Sequence, residues 1–138
     1  MSDRPARGPQ AIVPYLAYDD APAAIAFLCE AFGFEESLRV PMPDGRIGHA
    51  ELELRGNALM LASSHPEIGF VGPAKQQTLH SQLYVEVDDV DAHCERARAA
   101  GATIASEPED KPYGDRAYQA VDPEGHRWGF WSALPDPD

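Results

Sequence analysis

The chain has 138 residues, 43% hydrophobic and 25% charged, which is the composition of one folded domain and excludes a disordered tail. Acidic residues outnumber basic ones 23 to 11, and the formal net charge of −12 makes a field that repels phosphate backbones and anionic lipid. No nucleic acid and no membrane is therefore expected as a partner, the apolar runs are too short to span a bilayer, and the absence of an apolar stretch behind Met1-Ser2-Asp3-Arg4-Pro5 points to a cytoplasmic protein.

Residues 1–10 carry no pattern and read as unstructured. The first strand signal is Pro14-Tyr15-Leu16-Ala17-Tyr18, which ends in Asp19-Asp20. A helix is predicted over 21–32, where Ile25, Leu28, Cys29 and Phe32 form one stripe. Asp20 is placed to cap its start, and Gly33 suits the left-handed residue after its last turn. Three strand candidates follow at 34–40, 48–54 and 58–63, separated by Pro43-Asp44-Gly45 and Arg55-Gly56-Asn57. Residues 64–79, rich in Pro, Gly and polar side chains, read as a linker.

The second half repeats the plan. Leu83-Tyr84-Val85-Glu86-Val87 ends in Asp88-Asp89, and a helix is predicted over 90–100 with the stripe Val90, Cys94, Ala97 and a stop at Gly101. Strands are predicted at 103–106, 116–121 and 127–132, the last two joined by the turn Asp122-Pro123-Glu124-Gly125. Each half is thus β-α-β-β-β: unit one covers about 11–63 and unit two about 80–132 of a single α+β domain. The tail from Pro135 reads as unstructured. Cys29 and Cys94 sit in no metal-binding spacing and read as small buried hydrophobes.

The doubled unit carries five motifs in order: Val13-Pro14-Tyr15-Leu16, Glu30-Ala31-Phe32-Gly33-Phe34, Gly48-His49-Ala50-Glu51-Leu52, Tyr113-Gly114-Asp115-Arg116 and Asp122-Pro123-Glu124-Gly125-His126-Arg127-Trp128. With them the chain resembles the vicinal oxygen chelate superfamily, which includes glyoxalase I, extradiol dioxygenases, fosfomycin-resistance enzymes and bleomycin-resistance proteins. The PhnB-like bacterial branch is the nearest match. The resemblance implies the glyoxalase/bleomycin-resistance fold, two tandem units whose mixed sheets curl around a cavity, each with its helix on the other face. It also places the four metal-ligand positions of the superfamily at Val13, Met60, Gln82 and Gly129. Three of these cannot ligate a divalent metal in the usual way and Gln82 could do so only weakly, so no metal or other cofactor is expected there.

Period-two alternation then sorts the strands. Tyr15, Met60, Gln82, Tyr84 and Trp131 fall on the cavity side as ligand-binding candidates, with Arg127 and Gly129 on the same side. His49 and Glu51, two apart on one strand, share a face, with His80 at the mouth of the same sheet. They read as a hydrogen-bonded pair on a wet face, with ligation and acid–base catalysis as the other readings. Arg116 reads either as an ion-pair partner of Asp115 or as a clamp for a ligand carboxylate at the cavity rim. His126 reads as a turn anchor, and His65 and His93 as surface residues.

Two function classes follow. The first is a metal-free protein of the bleomycin-resistance type that sequesters a small aromatic or cationic molecule, which the aromatic lining and the net charge both favour. The second is a lyase or isomerase with a non-standard metal or acid–base site around His49 and Glu51. Four-stranded sheets leave open edges, so a homodimer is expected.

Overall fold

The structure is a computed structural model and describes residues 10–74 and 81–136. The chain divides into two compact units, one ending at Gly72 and the other beginning at Pro73. Unit one holds β1 (Tyr15–Tyr18), α1 (Ala21–Phe32), β2 (Glu35–Pro41), β3 (Ile47–Leu54) and β4 (Asn57–Ser63). Unit two holds β5 (Leu83–Glu86), α2 (Val90–Ala99), β6 (Thr103–Asp110), β7 (Asp115–Val121) and β8 (Arg127–Ala133). This is the predicted doubled β-α-β-β-β architecture.

The two sheets have the same topology. Their strand orders are β1-β4-β3-β2 and β5-β8-β7-β6, with the first pair of each parallel and the others antiparallel. Each sheet is open, with two free edges, and is not closed around a cavity.

Both helices begin as their sequence directs. Asp20 accepts a hydrogen bond from the Ala23 amide at 3.1 Å and Asp89 one from the Ala92 amide at 3.0 Å. Each cap satisfies an otherwise orphaned N–H and stabilises its helix by about 1 kcal/mol. At the end of α1, Gly33 has φ of +88°, a conformation that costs glycine nothing. The stripe of α1 buries Ile25, Leu28 and Phe32 against Leu52 and Leu61 of the sheet. In unit two, Val90, Cys94 and Ala97 of α2 pack on the face that carries Tyr118, Trp128 and Phe130. Cys94 is fully buried and Cys29 half-buried, both as free thiols whose pKa burial raises.

The turn before β8 is held by one buried carboxylate. Asp122 accepts from the amides of Glu124 and His126 and from the Trp128 indole N–H at 3.1 Å. The anchor of this turn is therefore Asp122, with His126 bound to it through its backbone.

The fold departs from the sequence expectation in three places. Strand β6 runs on to Asp110 through Pro108, because an edge strand tolerates a residue without an N–H, and its register with β7 shifts there. Gln10 is docked: its side-chain amide donates to the Ala58 carbonyl at 3.0 Å and accepts from the Ala58 amide at 2.6 Å, standing in for a strand backbone at the start of β4. The third departure is the stretch expected to be linker. Residues 64–70 are ordered onto unit one, with a 3-10 turn at Pro66–Ile68 and a bridge between His65 and Phe70. Residues 75–80, with His80, lie outside the described residues.

Candidate functional site

In unit one, Tyr15 of β1 pairs with Met60 of β4, and Met60 with Glu51 of β3. Cross-strand partners share a face, and this row lies on the side away from α1, because Leu52, Leu59 and Leu61 take the helix side. His49 comes alongside Ala62 in the next row.

The result is a three-membered polar chain. Tyr15 Oη lies 2.7 Å from His49 Nδ1, and His49 Nε2 lies 2.8 Å from Glu51 Oε2. The His49–Glu51 hydrogen bond is the one expected, but the wet face is not. Glu51 is only 1% exposed, because its row neighbours Met60 and Leu38 stand on either side of it. Tyr15, a ligand-binding candidate on the cavity side by alternation, ends this chain with its hydroxyl. Partial burial first, and then the charge of Glu51, push the Tyr15 phenol above its ordinary pKa, so it stays protonated.

Beside Tyr15 lies a cavity of about 390 Å³. Tyr15, Met42, Ile47, Ala62, Ile68 and Phe70 supply its apolar wall, and the ring of Phe70 meets that of Tyr15 edge-on at 5.4 Å. Three of these come from segments that alternation could not place: Met42 from the β2–β3 turn, and Ile68 and Phe70 from the stretch read as linker. His65, exposed as expected, lies in the same wall. Met60, His49 and Glu51 stand outside the wall, so Tyr15 alone connects the polar chain to the cavity.

In unit two, Tyr84 pairs with Gly129 and Glu86 with Trp131, which puts Tyr84 and Trp131 on one face as the alternation requires. Their rings stack, 5.8 Å between centroids and 9° between planes. Gln82 precedes β5 and is exposed. Arg127 shares this face, and its Nε is buried without a hydrogen-bond partner.

Arg116 requires a correction. It pairs with Ser132 while Ala117 pairs with Trp131, so it lies on the opposite face from Tyr84 and Trp131. Its guanidinium forks onto Asp91 of α2 at 2.8 and 2.9 Å and reaches Asp110 at 2.9 Å. It ties β7 to α2 and is neither a partner of Asp115 nor a clamp on the ligand-candidate face. The ion pairs raise the Arg116 pKa, and Arg116 lowers that of Asp91. His93 is also not a surface residue. Its Nδ1 is 2.6 Å from Tyr118 Oη and its ring lies 4.3 Å from that of Phe130.

Three of the four metal-ligand positions of the resembled superfamily do not fit a divalent metal, and the fourth, Gln82, offers only a weak amide oxygen. Val13 and Gly129 have no donor side chain, and Met60 offers only a soft thioether. The Gly129 position is moreover filled: a β-carbon there would stand 2.6 Å from Tyr84 Cδ1. Among the described residues no group of three or more His, Cys, Asp or Glu side chains is placed to hold a metal.

The family model of the glyoxalase/bleomycin resistance protein/dioxygenase superfamily matches residues 10–130. The chain belongs to this superfamily. An uncharacterized protein of Mycobacterium bovis is 39% identical over 123 residues, covering 87% of this chain and 81% of its own. TioX from Micromonospora sp. ML1 is 40% identical, with a TM-score of 0.73 over 91% of this chain and 99% of that one. A glyoxalase I mutant from Zea mays superposes with a TM-score of 0.72 at 21% identity, over 91% of this chain and 45% of its own, a likeness of fold alone. Superfamily membership accounts for the doubled unit. It leaves the chemistry to particular side chains, for which this chain's candidates are a Tyr–His–Glu chain, a walled cavity and an aromatic stack.

Proposed function

We propose that this superfamily member is a metal-free small-molecule-binding protein of the glyoxalase/bleomycin-resistance type, which sequesters a flat aromatic compound. The observation that carries the reading is the cavity of about 390 Å³ walled by Tyr15 and Phe70 in unit one. Its volume is within the range of small-ligand sites, and its wall is mostly apolar, with Tyr15, Arg46, Ser63, Ser64 and His65 as its polar side chains. The net charge of −12 favours a cationic ligand, whose capture it would speed. The stacked Tyr84 and Trp131 offer a second aromatic surface, in unit two. The PhnB-like motifs, a cytoplasmic location and a homodimer that covers the open sheet edges belong to the same reading; sedimentation at tens of micromolar tests the dimer.

Proflavine, a flat aromatic cation, is the direct probe. Calorimetric titration with EDTA present should give saturable binding, weakened at least about tenfold by Tyr15→Ala or Phe70→Ala, since each removes a wall that buries apolar ligand surface. No binding, or binding untouched by both substitutions, overturns the reading.

The Tyr15–His49–Glu51 chain favours a second reading, an acid–base isomerase or lyase in which Tyr15 passes a proton to His49. Its test is exchange of solvent deuterium into carbonyl compounds, lost in His49→Ala.

A further inference from the structure

We infer that the cavity of unit one accepts a hydrogen bond at its Tyr15 wall, and so takes an aromatic compound that carries an O–H or N–H group on its ring. The inference rests on the binding reading above and supplies the chemistry of its polar contact.

The direction follows from proton counting along the chain. Glu51 is buried, and its Oε2 stands 2.8 Å from His49 Nε2. We take Glu51 as a carboxylate, which has no proton to give, so that Nε2 carries the hydrogen of that bond. We also take the imidazole as neutral, with a single N–H, which leaves Nδ1 as a lone pair. Tyr15 Oη, 2.7 Å from Nδ1, therefore donates. With its one hydrogen committed to His49, the phenol oxygen can only accept from a third partner. Tyr15 is 43% exposed and stands in the cavity wall, so that partner can come from the cavity.

Each of the other polar side chains of the wall already holds a partner in unit one. Ser63 Oγ accepts from the Ile47 amide at 2.8 Å, and Ser64 Oγ donates to Asp19 at 2.7 Å. Arg46 Nε holds Asp44 at 2.8 Å, and His65 Nε2 is 2.9 Å from Glu67. Tyr15 is the wall residue whose hydroxyl the polar chain holds in one orientation, and so is the contact residue of this inference. His49 and Glu51 are positioning residues, which keep its hydroxyl turned and polarise it, because successive hydrogen bonds in a chain strengthen one another.

Three probes of one shape separate the possibilities: 2-naphthol, a donor; 2-methoxynaphthalene, which has lost the donor; and quinoline, an acceptor. Dissociation constants are measured by NMR titration of the full chain. The wild type should bind 2-naphthol about fivefold more tightly than 2-methoxynaphthalene, the worth of one added hydrogen bond. Tyr15→Phe should bring that ratio to about one while changing the affinity for 2-methoxynaphthalene less than about twofold. His49→Ala releases the phenol hydrogen, so it should raise quinoline affinity about fivefold, a gain that loss of a merely structural residue would not give. A wild-type preference for quinoline, or a 2-naphthol preference that survives Tyr15→Phe, overturns the inference and leaves the binding reading standing. Failure of all three probes to bind overturns both.

Discussion

The ring of Tyr84 covers Gly129 so closely that a β-carbon on Gly129 would stand 2.6 Å from Tyr84 Cδ1 and 3.0 Å from Cε1. Tyr84 also stacks on Trp131, so the glycine, the tyrosine and the tryptophan form one packed group on a single face of unit two. At a position where metal-dependent relatives are expected to carry a ligand, this chain has given the space to an aromatic ring.

Gly129→Ala should therefore displace Tyr84 and destabilise the fold by about 1–2 kcal/mol, the usual cost of overpacking. Tyr84→Ala alone should cost about 1 kcal/mol through loss of the stack. In the double variant the clash is gone, so the two effects should fall short of their sum. Urea denaturation of the four proteins gives the coupling energy; strict additivity would mean that the ring does not depend on Gly129.

Arg116→Gln removes the ties to Asp91 and Asp110, which are solvent-screened, so the stability loss should be small. Because Arg116 is on the helix side of its sheet, proflavine affinity should not change. A tenfold loss of affinity would return Arg116 to a binding role.

Tyr118 gives the pH dependence. Burial first, and then the nearby Cys94, hold its phenol protonated well above the ordinary tyrosine range. In the unfolded chain the phenol loses its proton near pH 10, while in the folded protein it keeps it. The unfolded state is thus favoured as the pH rises above about 10, and this contribution to stability, complete below that pH, is lost on the alkaline side. Tyr118→Phe should lower stability near neutrality by removing the His93 bond, yet flatten its fall between pH 9 and 11 or so, as denaturant midpoints across that range would record. An unchanged slope would place the alkaline sensitivity elsewhere.

Much of this molecule was legible because its signals are local. Asp20, Gly33 and Asp89 mark helix ends within a few residues of sequence, and strict alternation placed Tyr15, Met60 and Glu51 on one face and Tyr84 and Trp131 on another. The cavity was not legible, since Ile68 and Phe70 lie in a stretch without periodicity whose order comes from packing on Tyr15. Arg116 could have been placed correctly. Residues adjacent on a strand point to opposite faces, so Asp115 was a poor partner for it, and the alternation that sets Tyr118 and Ala120 under the helix sets Arg116 there too. His93 sits one residue before Cys94 and beside the apolar stripe of α2, near enough for its ring to reach Phe130. The burial of Glu51 was hidden because its cover, Leu38 and Met60, comes from two other strands.

The claim that unit one holds the ligand is tested most directly by mapping amide shifts in a ¹⁵N-labelled chain titrated with proflavine in EDTA. Saturable shifts are expected, concentrated at Tyr15, Gly48, Ala62 and residues 64–70, the segments that wall the cavity. Shifts confined to residues of unit two, or none at saturating dye, would contradict it.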